Sequence, residues 1–153
     1  MPASDARFLE CARAGFEQIR GRLVELNVVV DEDHPYLDLT LDIPEQRGLA
    51  FPIHANLQND DEIHLECCGA SLCWFPCSQP DNVDDFVETV VGLVQGTCRI
   101  VQKLRGGAVR TARVEVNQGG DWAKKSPGIW HFRLPRIFPS ETRIVQNEAG
   151  GLA

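Results

Sequence analysis

Basic residues are nearly absent from one long stretch of this chain. Between positions 28 and 90 there is one, Arg47, against fourteen acids. Long apolar runs are absent too: none approaches the ~18 residues that a membrane-spanning helix needs. The opening stretch, MPASDARFLECARAG, lacks the uninterrupted apolar core of a secretory signal. Neither G-x-x-x-x-G-K nor G-x-G-x-x-G occurs, which excludes the usual phosphate-cradling loops. The paired C-x2-C knuckle of structural zinc sites is missing, and so is any internal repeat. Asp31, Glu32, Asp33, Asp38 and Asp42 crowd together, but Pro35 interrupts them and the central glycine of a calcium loop is lacking. They read as a solvated face.

What is present suits one domain. The chain has 153 residues, 43% of them apolar, enough for a sizeable core. We expect a single α+β domain over residues 1–146 and a flexible tail over 147–153. Six cysteines would allow three disulfides, yet Cys67 and Cys68 are adjacent and Cys11 and Cys98 fall on other elements. A chain of this size does not need staples, so the thiols read as reduced and the location as cytoplasmic. Net charge is −7, and the second half reverses the sign of the first, with ten bases and three acids between positions 99 and 143. The two halves are expected to lie side by side in one sheet and neutralise each other, or to do so across a symmetric dimer.

Periodicity places the elements. Phe8, Ala12, Phe16, Ile19, Leu23 and Leu26 recur at helical spacing and predict a helix over 4–26, capped by Ser4. Leu37, Leu39, Leu41 and Ile43 alternate with polar residues, as do Leu49, Phe51, Ile53, Ala55 and Leu57, so two strands follow, the second with Pro52 on its outer side. A second helix runs from an Asn82 cap to Gly96, with Phe86, Val87, Val90, Leu93 and Val94 inward. Gly92 and Gly96 mark close packing on the sheet. Residues 97–104 read as a strand, Arg105-Gly106-Gly107-Ala108 as a hairpin turn, 109–116 as the return strand, Gln118 to Asp121 as another turn, and 128–134 as a short last strand. The expected fold is therefore α+β: an antiparallel sheet of five to seven strands, one N-terminal helix and one inserted helix.

The stretch 61–77, DEIHLECCGASLCWFPC, carries most of the reactive chemistry. It reads as a β-hairpin turning at Gly69-Ala70. Ile63, Leu65 and Cys67 then face inward and His64, Glu66 and Cys68 outward. That register sets Cys67 against Leu72, Leu65 against Trp74, Glu66 beside Cys73 and His64 beside Phe75, with Cys77 farther along the outer face. His64, Cys73 and Cys77 are the candidate metal ligands, with Cys67 or Cys68 as a fourth, and zinc is the metal such N and S donors suit. His64 could instead serve as base to Cys73 or Cys77 in thiol catalysis. Arg99, Lys103, Arg105, Arg110 and Arg113 decorate the second hairpin, with Trp122 and Trp130 available for base stacking. The acidic total opposes the phosphate attraction that drives nucleic-acid binding.

The order helix, three or four strands, helix, strand pair over residues 4–116 resembles the core of type III secretion chaperones. The resemblance is of element order and brings no functional residue with it. It implies a small, acidic, dimeric cytoplasmic protein that binds a protein partner. Immunity proteins that mask a toxin are similar at this level. The expected function is thus a non-enzymatic protein-binding module, chaperone, adaptor or immunity-like, with no cofactor. The alternatives are a metal- or thiol-dependent site on the 61–77 hairpin and nucleic-acid binding through the 99–113 hairpin.

Overall fold

Among the described residues there are two helices and nine strands, most of them where the period-two and helical patterns place them. The computed structural model describes residues 3–125 and 140–148. In chain order the elements are α1 (Ala3–Arg22), β1 (Val29–Asp31), β2 (Leu39–Ile43), β3 (Ile53–Gln58), β4 (Glu62–Cys67), β5 (Ala70–Trp74), α2 (Pro80–Gln95), β6 (Cys98–Arg105), β7 (Ala108–Gln118), β8 (Asp121–Lys124) and β9 (Glu141–Val145). The fold is α+β, with an N-terminal helix and an inserted one. All strand pairs are antiparallel, but they divide into two sheets, ordered β1-β2-β3-β4-β5 and β8-β7-β6-β9. The acids of 28–90 thus fall on the first sheet, its loops and α2, and the described bases of 99–143 on the second sheet and its connections.

In the first sheet one face is apolar. Leu39, Leu41, Ile43, Ile53, Ala55, Leu57, Ile63, Leu65, Leu72 and Trp74 are all buried. Both helices help to close the core over this sheet, and α1 packs on α2. Phe86 of α2 lies 5.5 Å from Phe16 of α1 and 5.3 Å, edge-on, from Trp74, a preferred aromatic geometry. Trp74 Nε1 donates to Asp85 Oδ2 at 2.7 Å, and Lys125 Nζ, just past β8, donates to Asp85 Oδ1 at 2.6 Å. One carboxylate on α2 therefore holds both sheets.

Several boundaries differ from expectation. α1 stops at Arg22, and Leu23 and Leu26 are buried from the turn that follows. Asn82 is not the cap of α2. Gln79 occupies that position without a side-chain cap, Pro80 opens the helix, and Asn82 Nδ2 instead donates to Pro76 O at 2.9 Å. Pro at the first helical position suits an N–H that would have no partner anyway. Gly96 ends α2 with φ 79°, as expected. The turns 106–107 and 119–120 form as read. The proposed strand 128–134 and Trp130 lie outside the described residues. Asn147 is buried, its Oδ1 accepts from Ala50 N at 3.0 Å, and its Nδ2 donates to Val94 O at 3.2 Å.

Gly92 is needed for the approach of α2 to β6. A Cβ there would stand 2.7 Å from Cys98 Sγ and 2.9 Å from Thr97 Oγ1. Gly92→Ala is expected to cost about 1–3 kcal/mol by overpacking. Gly21, with open space around its Cβ position, should instead gain up to about 1 kcal/mol as alanine. Urea denaturation of the two variants reads both signs. Asp85→Ala leaves the buried indole N–H unpaired and should cost about 1–3 kcal/mol in the same assay, and Asp85→Asn, which keeps an acceptor, should cost less.

Candidate metal centre on the outer face of the first sheet

The hairpin of β4 and β5 turns one residue earlier than expected. Cys67 pairs with Ala70, so Cys68 and Gly69 form the two-residue loop. Both have positive φ, 49° and 81°, as a type I′ turn requires. The pairing slips by two residues: Leu65 meets Leu72, Ile63 meets Trp74 and His64 meets Cys73. A slip of two preserves the faces. The inward set is unchanged, while His64 gains Cys73, not Phe75, as its direct neighbour.

Two rows of side chains then cross the outer face. Thr40, Asn56, His64 and Cys73 pair in succession from β2 to β5, and Asp42, His54, Glu66 and Ser71 do the same one step away. In the second row His54 Nδ1 lies 2.6 Å from Asp42 Oδ1, and its Nε2 lies 3.4 Å from Asn56 Nδ2. In the first row His64 Nε2 lies 2.9 Å from Glu62 Oε2 and 3.6 Å from Cys73 Sγ. These three ligand atoms all fall within 4.8 Å of one another. Asn59 Nδ2 donates to the same Glu62 oxygen at 3.0 Å. The Asn59 amide, and after it His64, hold Glu62 below the usual carboxylate range. Burial, then the nearby charges of Glu62 and Asp61, push the Cys73 thiol up.

The structure thus brings His64 and Cys73 together and adds Glu62. Glu62 lies two residues before His64 on one strand, so period two already put it on that face. Cys77 does not join them. It is fully buried, its backbone N–H donates to Asp61 O at 2.8 Å, its thiol points at Phe8 O at 3.6 Å, and burial pushes it up to about 12. The reason is that the chain leaves the strand at Trp74, so period two no longer governs position 77. Cys67 faces the core and donates to Pro52 O at 3.4 Å. Cys68 sits in the turn. Neither serves as a fourth ligand beside His64.

Thiol catalysis fits the same cluster poorly. A catalytic histidine takes the nucleophile's proton on one ring nitrogen while an acid holds the other. Here Glu62 and Cys73 both approach Nε2. The acids around Cys73 also oppose the thiolate that a nucleophile must be.

The basic hairpin is arranged around an acid. Arg99 Nε donates to Glu115 Oε2 at 2.9 Å, and Arg113 Nη2 donates to Oε1 at 2.7 Å. Burial alone would raise Glu115, but the two guanidiniums outweigh it and hold the carboxyl below its usual range. The Arg99 guanidinium also lies 4.0 Å above the Trp122 ring. That cation–π contact covers a ring face that a base would need for stacking.

No family model, curated protein or solved structure matches this chain.

Cys68 is the thiol poised to react. The neighbouring Cys67 thiol, and with it the charge of Arg143, bring it down to about 7 against the opposing effect of burial. It lines a surface hollow of about 430 Å³ with Pro52, His54, Glu66 and Ser71. At neutral pH, iodoacetamide should therefore alkylate Cys68 well before Cys73 or Cys77, and peptide mass spectrometry over a time course reads the order.

Proposed function

We propose that the protein is a non-enzymatic protein-binding module, chaperone, adaptor or immunity-like, that works in the cytoplasm as a homodimer. The observation that carries this reading is the separation of charge by sheet. The acids of 28–90 belong to the first sheet, its loops and α2. The described bases of 99–143 belong to the second sheet and its connections. Lys125 to Asp85 joins the two sets, whereas the pairs of Arg99 and Arg113 with Glu115 stay within the second sheet. Regions of opposite charge can make a molecule complementary to a second copy of itself. In a two-fold dimer each copy offers both regions, so the contact is made twice. Such complementarity sets specificity and speeds encounter. The element order that resembles type III secretion chaperones points the same way. No helix among the described residues is long and apolar enough to cross a membrane.

The test is light scattering on the eluting protein across ionic strength. Screening lengths fall from about 30 Å at 0.01 M salt to about 3 Å at 1 M. The dimer is expected at low salt and should weaken steeply as salt rises. Arg110→Glu, on an exposed position of β7, should shift dissociation to higher protein concentration. A strict monomer at every salt concentration, turning over a small molecule, would sink the reading.

A further inference from the structure

We propose that Glu62, His64 and Cys73 form a three-ligand zinc site whose fourth position is left to solvent. This goes beyond the binding-module reading and stands apart from it. Zinc takes imidazole, thiolate and carboxylate donors in a tetrahedron, with bonds of about 2.0–2.3 Å, so nitrogen and sulfur ligands of one ion lie about 3.6 Å apart. That is the separation of His64 Nε2 and Cys73 Sγ, 3.6 Å. The His64–Glu62 distance of 2.9 Å is shorter than the roughly 3.4 Å edge of such a tetrahedron. Entry of the ion therefore replaces that hydrogen bond with two coordinate bonds after an outward shift of about half an ångström. As the Zn–S bond forms, the Cys73 proton passes to solvent. Convergence of the acid and the thiol on a single ring nitrogen is unsuited to a proton relay and is what a shared ion requires.

The surroundings supply the orienting bonds that metal ligands ordinarily have. Asn59 Nδ2 already fixes Glu62 Oε2. Metal on His64 Nε2 places the ring proton on Nδ1, which then needs an acceptor. Asn56 stands directly across the ladder from His64, and its Oδ1 is buried without a hydrogen-bond partner, the one such side-chain atom among the described residues. Asn56 itself is 7% exposed. A buried acceptor left unpaired is costly. Three protein ligands with one open position is the pattern of zinc sites that bind a water or a ligand, as distinct from closed structural sites.

The experiment titrates chelator-treated, reduced protein with cobalt(II), then competes it with zinc. One cobalt per chain is expected, with a thiolate-to-cobalt charge-transfer band that zinc abolishes. Cys73→Ser should remove the band. Glu62→Gln, on a partly exposed side chain, should weaken binding at least about 10- to 100-fold. Circular dichroism confirms that each variant is folded, and Glu62→Gln decides the matter where Cys73→Ser is not. The proposal is overturned by folded wild-type protein that gives no band. It is equally overturned by a band that survives Cys73→Ser, by cobalt affinity left unchanged in Glu62→Gln, or by a band that disappears in Cys68→Ser.

Discussion

The carboxylate of Asp85 is a point through which the two sheets are joined, beside the bond from Gln102 Nε2 to Cys68 O. It accepts from the indole of Trp74, in the first sheet, and from the ammonium of Lys125, at the edge of the second. Trp74 is 1% exposed, so its N–H has to find a partner inside the protein, and α2 brings it one. Because α2 also stacks Phe86 between Phe16 and Trp74, its position is fixed by packing and polar constraint together. Residues that satisfy both at once specify a unique arrangement where apolar burial alone would allow several. The close approach at Gly92 follows from that placement, since a helix held this near β6 leaves no room for a Cβ.

The outer face of the first sheet follows from its inner one. Burying Ile63, Leu65 and Trp74 sends every intervening side chain to the other side. The polar residues of four strands then stand in rows set by register alone. Clustered histidine, cysteine and carboxylate groups arise there because strand neighbours are about 5 Å apart. Each row draws from segments far apart in sequence, with Thr40 and Cys73 at its ends, and only the pairing makes them one surface.

Much of this was legible in the sequence. The inward residues of β2 to β5, the C-terminus of α2 at Gly96, the strand over 97–104 and both glycine turns followed from periodicity and turn chemistry. The register of the central hairpin did not. Gly69 is in the turn under either register, and the sequence holds nothing that decides whether Cys68 or Ala70 joins it. Cysteine at a positive φ is uncommon enough that the alternative looked better. That slip hid the contact of His64 with Cys73. Cys77 was misplaced because alternation was carried past the strand's end. The division into two sheets was not legible, since hydrophobic alternation shows that a strand has an inside and not which strands share it. Nor was β9, whose residues are exposed at Glu141, Thr142, Arg143 and Ile144, so that pairing with β6 leaves little apolar trace.

The side chains of Gln146 and Asn147 reach back across the molecule. Gln146 donates to Gly96 O at 2.7 Å, and Asn147 bridges Ala50 to Val94. β9, just before them, completes the second sheet against β6. During synthesis the first sheet and both helices are made well before these residues leave the ribosome, so the earlier part of the chain must wait with the end of α2 and one edge of β6 unsatisfied. Chains emerge at about 5–20 residues per second, and an unpaired strand edge is an aggregation hazard meanwhile. Arrival of β9 closes that edge of β6 and ends the interval.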